Sequence, residues 1–157
     1  MDDLLERKLI FRNLDLTDTN ELFHIVGERM ISLGFAKEGY VEELIKREKL
    51  FPTGVPVEPI GVAIPHTDGI FIKENKLAVV TLKHPITIEV MGSDHEKMVI
   101  SLAIFIGVCN GQEHMIILQQ LIERIQDSNF VNQIMKADTD DEIYNLFYSN
   151  LKLEEIK

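Results

Sequence analysis

The feature that most constrains the fold of this chain is the run Val99-Ile100-Ser101-Leu102-Ala103-Ile104-Phe105-Ile106-Gly107-Val108. It is almost wholly apolar and rich in β-branched residues, without the polar alternation of a half-exposed strand. That is how a strand covered on both faces reads. A sheet with such a strand needs a layer on each side, and the flanking sequence provides helices for both. Before the run, Asp18 with Glu21 resembles a capping box. Leu22, Ile25, Val26, Met30 and Leu33 then recur at helical spacing up to Gly34. A second helix is expected from Tyr40 to Lys49, with Val41, Leu44 and Ile45 inward. After the run, His114, Leu118, Leu121, Ile122 and Ile125 form one stripe. Ser128 is positioned to cap a short helix holding Val131, Ile134 and Met135, and Thr139 to Glu142 reads as a capping box before Ile143, Leu146 and Phe147.

Between the two helical parts the period changes. Phe51 to Gly61 carries Pro52, Pro56 and Pro59, which rule out a helix and disfavour a central strand. Gly61-Val62-Ala63-Ile64 is a short apolar run stopped by Pro65. Leu77 to Leu82 and Ile86 to Val90 read as two strands separated by His84-Pro85. Helices, then strands, then helices give an α/β domain. Its expected architecture is a single mixed β-sheet of about five strands flanked by helices on both faces. The pattern does not decide whether Met1 to Leu16 adds a strand.

At 157 residues the chain fits one domain, taken here as 1–157, with no linker dividing it. Its single cysteine, Cys109, excludes an intrachain disulfide and suits a reducing compartment; it ends the apolar run and reads as a small buried hydrophobe. The N-terminus lacks the basic start and apolar run of a signal peptide, and no apolar stretch is long enough to cross a bilayer, so a cytoplasmic location is expected. With 16 Lys and Arg against 26 Asp and Glu, the net charge of −10 repels nucleic acid and anionic membranes and favours basic protein partners. Charge of this size also serves solubility alone.

Five histidines are the candidates for chemistry: His24, His66, His84, His95 and His114. None is spaced like a metal-ligand pair, and one cysteine removes the usual zinc patterns, so no metal or cofactor is expected. His66 follows a buried strand and rigid Pro65, at the strand end where sites on open sheets gather. By position alone a lone histidine in a loop is more often a bystander, and physics leaves the site undecided.

Gly61-Val62-Ala63-Ile64-Pro65-His66 resembles the phosphorylation motif of the fructose/mannitol superfamily of phosphotransferase-system enzyme IIA proteins. Arg47-Glu48-Lys49-Leu50-Phe51-Pro52-Thr53-Gly54 resembles the stretch upstream of that motif, and Glu113-His114 its second-histidine segment. The resemblance runs from about Thr17 to Leu151. It implies that His66 accepts a phosphoryl group on Nε2, with the histidine phosphocarrier protein as donor and a cognate IIB protein as acceptor, feeding a membrane IIC permease. It further implies roles in phosphoryl stabilisation for Arg47 and His114. By residue chemistry alone, Arg47 reads either as a phosphate fork or as a solvated arginine between Lys46 and Lys49. His114 reads as a boundary histidine or as a partner of His66 across a shared rim. Phe51-Pro52-Thr53-Gly54, Ile64 to Asp68 and Val90-Met91-Gly92 most resemble galactitol-type members, from some of which His114 departs. A regulatory, nitrogen-type IIA protein carries the same motif, and an interaction module without phosphoryl chemistry would tolerate loss of His66.

Overall fold

The computed structural model describes residues 4–152; the ends of the 1–157 range, 1–3 and 153–157, lie outside the described residues. Five strands form one mixed sheet in the order β1-β4-β5-β3-β2. The strands are β1 (Leu5–Leu14), β2 (Gly54–Val55), β3 (Val62–Ala63), β4 (Lys76–Glu89) and β5 (Lys97–Gly107). β1 runs parallel to β4 and β3 parallel to β5, while β4–β5 and β2–β3 are antiparallel. The apolar run is β5, inside the sheet between β4 and β3.

Both faces of that sheet are dry. On one face Ala78, Val80, Ala103 and Phe105 pack against α1 (Thr19–Ser32) and α2 (Tyr40–Leu50), with the Phe23 ring edge-on to Phe105 at 5.7 Å between centroids. On the other, Leu77, Val79, Leu102, Ile104 and Ile106 meet α3 (Gly111–Ile125), α4 (Ser128–Lys136) and α5 (Asp140–Asn150). Successive residues of β4 and β5 thus serve opposite cores, which is why the run lacks polar alternation.

Helix starts follow local chemistry. Asp18 accepts from the Glu21 amide at 2.9 Å, while the Glu21 carboxylate takes the Thr17 amide at 2.9 Å. Thr139 accepts from the Glu142 amide at 3.1 Å. α4 differs from the expectation: Asp127 is its cap, accepting from the Asn129 amide, and Ser128 is the first helical residue. Asp is as good a cap as Ser, and it stands one residue earlier.

Three further features depart from the sequence reading or complete it. The two expected strands, Leu77 to Leu82 and Ile86 to Val90, are one strand, β4, from Lys76 to Glu89. The pairing with β5 shifts between Thr81 and Ile86, and the bulge places Lys83, His84 and Pro85 in solvent. Pro85 needs no amide donor in a bulge, so the proline did not divide the strand. The N-terminal segment supplies β1 at the sheet edge, tied to α5 by Arg12–Asp140 at 2.8 Å and by Arg7–Asp141. The proline-rich loop contributes only the two-residue edge strand β2.

Candidate functional site

Because β3 and β5 are parallel neighbours, their C-terminal ends lie side by side. The chain leaving β3 passes Ile64 and Pro65 to His66, which bridges to Ile106 of β5; the Ile106 amide donates to the Pro65 carbonyl at 3.0 Å. The chain leaving β5 turns through Cys109 and Asn110 directly into α3. Asn110 caps α3, accepting from the Gln112 and Glu113 amides, and His114 stands in its first turn. The two segments press together at Gly69: a Cβ there would sit 2.3 Å from the Cys109 carbonyl oxygen, so only glycine permits the approach.

The result is a cleft of about 250 Å³ lined by Arg47, His66, Asp68, Cys109, His114 and Met115, among others. The His66 and His114 rings are 4.7 Å apart between centroids, tilted by 55°. Arg47, from the last turn of α2, reaches Asp68 through Nη1 at 3.1 Å and lies over the Phe51 ring with Cζ 5.0 Å from its centroid. Its Nε is buried and has no hydrogen-bond partner among the described residues. The structure thus brings together the three residues that the sequence singled out. His24 pairs with Glu28 on α1, His84 lies in the β4 bulge and His95 pairs with Glu89 in a turn, all away from the cleft.

The His66 tautomer follows from its partner. Nδ1 stands 2.8 Å from the Ile64 carbonyl oxygen, which can only accept, so Nδ1 carries the proton and donates. Nε2 keeps its lone pair and is a nucleophile. Burial is the main cause that lowers the His66 pKa, opposed by the bond to Ile64; Arg47 lowers it further and Asp68 opposes. Burial first, then His66 and Arg47, push His114 down to about 4. Both rings are therefore neutral at pH 7, and the local positive charge comes from Arg47. A neutral nucleophile beside a guanidinium, a second imidazole and a helix N-terminus suits attack on an electrophile that carries negative charge.

Cys109 corrects the sequence reading. It lies beyond the end of β5, is exposed at the cleft, and donates through Sγ to the Ile72 carbonyl at 3.1 Å. The strand ends two residues earlier, at Gly107, because Asn75 takes over as acceptor for the Cys109 amide at 2.8 Å. Asn75 also donates to Glu113 at 2.9 Å, clamping the loop to the first turn of α3. Asn75 carries no signal of this role in the sequence. Asp68 was visible only as part of the histidine segment. Among the described residues no group of three or more His, Cys, Asp or Glu side chains is gathered for a metal. No helix among them is long and apolar enough to cross a membrane.

Residues 3–150 match the family model described as phosphoenolpyruvate-dependent sugar phosphotransferase system, EIIA 2. The chain is 33% identical over 143 residues to the PTS system 2-O-alpha-mannosyl-D-glycerate-specific EIIABC component of Escherichia coli. That match covers 89% of this chain and spans 21% of that longer protein. It is 25% identical over 122 residues to the PTS system galactitol-specific EIIA component of Escherichia coli, covering 78% of this chain and 81% of that one. Among solved structures, IIA mannitol from Escherichia coli superposes with a TM-score of 0.73 at 20% identity, over 90% of this chain and 96% of that one. The complex of enzyme IIAMTL and phosphorylated enzyme IIBMTL from Escherichia coli matches with a TM-score of 0.76 at 19% identity, over 93% and 99%. At those identities the superpositions speak for the fold. The family match over nearly the whole chain decides membership: this chain belongs to the type 2 EIIA family of the phosphoenolpyruvate-dependent sugar phosphotransferase system.

Proposed function

We propose that the chain, acting over 1–157 as one EIIA domain, is a phosphocarrier that takes a phosphoryl group on His66 Nε2 and passes it on during sugar uptake. The observation that carries this reading is the His66 Nδ1–H bond to the Ile64 carbonyl, which leaves the Nε2 lone pair beside Arg47 and His114. In the first step Nε2 attacks the phosphorus of a phosphohistidine on the histidine phosphocarrier protein. The donor's N–P bond breaks, its electron pair returns to the donor ring, and a new N–P bond forms on His66. In the second, a side chain of the cognate IIB protein, a cysteine by family resemblance, attacks the same phosphorus and His66 regains its lone pair. The IIB protein then delivers to sugar crossing a membrane IIC permease.

Charge on the phosphoryl group is met by the Arg47 guanidinium and by an N–H of neutral His114, so the step asks for positioning and charge stabilisation and no cofactor. Phe51, Ile70 and Met115 are exposed around the cleft, an apolar rim suited to protein partners. The relatives support a sugar phosphotransferase context but name different substrates, mannosylglycerate at 33% identity and galactitol at 25%. A galactitol-type sugar remains the proposed substrate on the loop motifs around His66.

The test is phosphoryl transfer from phosphoenolpyruvate through enzyme I and the histidine phosphocarrier protein, read by intact mass. Wild type should gain one acid-labile phosphoryl group and His66→Ala none. No gain in wild type with a competent donor rejects the carrier reading; a gain in both moves the site. Adding candidate IIB proteins of galactitol and mannosylglycerate systems, and following loss of the label, assigns the sugar.

A further inference from the structure

We propose that Glu48 is a positioning residue for His66, acting through Thr53 and the Ile64 backbone to hold the carbonyl that fixes the imidazole tautomer. The inference rests on the reading of His66 as the phosphoryl acceptor, but its geometry is independent of it.

Glu48 lies in the last turn of α2, next to Arg47, and lines a separate hollow with Glu89. One oxygen accepts from the Thr53 amide at 2.8 Å and the other from the Thr53 hydroxyl at 2.8 Å. Thr53 is only 2% exposed, so neither donor has ready access to water. The Thr53 carbonyl in turn accepts from the Ile64 amide at 3.1 Å, and the Ile64 carbonyl accepts from His66 Nδ1 at 2.8 Å. Across β3, the Ile106 amide grips the Pro65 carbonyl at 3.0 Å. The peptides on either side of the Ile64–Pro65 bond are therefore held, the later one by β5 and the earlier one by the segment anchored on Glu48.

The arrangement has a clear failure mode. Without the Glu48 carboxylate, two buried donors of Thr53 lose their acceptor, and a buried orphan donor is costly enough to move a loop. Movement of Thr53 takes its carbonyl from the Ile64 amide and leaves the Ile64–Pro65 peptide free to tilt. The His66 ring then loses the bond that orients it. With it goes the bias that keeps the proton on Nδ1 and the lone pair on Nε2.

The carboxylate is kept at a position that does not favour it. Burial is the first cause raising the Glu48 pKa to about 7, with Glu89 adding to the rise, while the two bonds from Thr53 oppose it. Lys49 and Lys97, which line the same hollow as Glu48 and Glu89, are the nearby cations. A glutamine at position 48 has the shape to serve the same pair of bonds, its amide oxygen accepting from the Thr53 amide and its NH2 donating to the Thr53 hydroxyl. An alanine cannot.

The experiment compares wild type, Glu48→Ala, Glu48→Gln and Thr53→Val. One readout is the ¹⁵N chemical shifts of the His66 ring, which report the tautomer without any phosphoryl transfer. The other is the transfer rate from the phosphorylated histidine phosphocarrier protein. Glu48→Ala should shift His66 toward the Nε2–H tautomer and lower the maximal rate about tenfold to a hundredfold, with the KM for the donor unchanged. Glu48→Gln should restore both. Thr53→Val, which removes only the hydroxyl half of the anchor, should move the ¹⁵N shifts in the same direction by less, and it decides the matter if Glu48→Ala does not fold. Wild-type ¹⁵N shifts in folded Glu48→Ala, or in Thr53→Val when the alanine variant cannot be read, would overturn the assignment. If wild type accepts no phosphoryl group yet the tautomer still moves, the carrier reading fails and the positioning role stands.

Discussion

His66 and His114 face each other at 4.7 Å between ring centroids, and the His66 ring lowers the tendency of His114 to hold a proton. In the free protein the His114 pKa lies at about 4, because of burial, then His66, then Arg47. A phosphoryl group on His66 brings about two negative charges within reach and reverses that balance. The His114 pKa should rise on phosphorylation, and a ¹⁵N NMR titration of both forms measures it. An unchanged value would show that His114 does not face the group. His114→Ala should still accept phosphate, at a rate reduced on the order of a hundredfold.

Arg47 is bound to Asp68, and its buried Nε has no hydrogen-bond partner among the described residues. A lysine would reproduce the charge and lose the fork. Arg47→Lys should therefore slow transfer nearly as much as Arg47→Ala, by a factor on the order of a hundred. Equal rates for Arg47→Lys and wild type would show that charge alone suffices. Rapid-quench kinetics of labelled phosphoryl transfer distinguish the two.

The rate of acceptance should stay flat down through the usual imidazole value of about 6.5. The active form is unprotonated, and burial depresses the His66 pKa, so activity is lost only as pH falls through that lowered value. A pH–rate profile under single-turnover conditions with a fixed donor tests the sign. A midpoint above 6.5 would contradict it.

Glu48 leaves the opposite signature in stability. Its folded pKa is raised to about 7, above the unfolded carboxyl, so the folded state holds a proton that the unfolded chain has already released. Its contribution is full at low pH and is lost as pH rises to about 7. Glu48→Gln removes that dependence. The variant should melt a few degrees above wild type at pH 8 and match it near pH 4. Thermal unfolding by circular dichroism at the two pH values checks both halves.

Gly69 sets the spacing between the His66 loop and the start of α3. A methyl group there meets the Cys109 carbonyl at 2.3 Å, and backbone must give way. Gly69→Ala should lower stability by about 1–3 kcal/mol and separate the two rings, lowering transfer more than His114→Ala does. Wild-type transfer in that variant would show that the spacing has slack.

Much of this was legible in the chain because the signals were local. The lack of polar alternation in β5 announced helices on both faces, and the Pro65-His66 corner after a buried strand located the central candidate. What escaped was set by pairing across the sheet. Pro85 looks like a strand breaker until β5 is beside it to show a bulge. β1 owes its place to β4 and α5, about 70 and 130 residues away by its pairing with Leu77 and the Arg12–Asp140 bond. Cys109 reads as the last residue of an apolar run, but Asn75 reaches across and ends the strand first. The Glu48–Thr53 anchor is five residues long, yet its link to His66 passes through the β3 edge and has no sequence signature.

The parallel β3–β5 pair has a consequence for how the protein is made. Arg47 arrives on a helix of one layer, His114 on a helix of the other, and His66 at the seam between them. A nascent chain that stops before α3 lacks His114, and β5 and α3 are translated after the residue they must embrace. On the proposed reading, competence to receive a phosphoryl group reports that a helix of each layer has closed on the β3–β5 seam, so a chain cut before α3 should accept none.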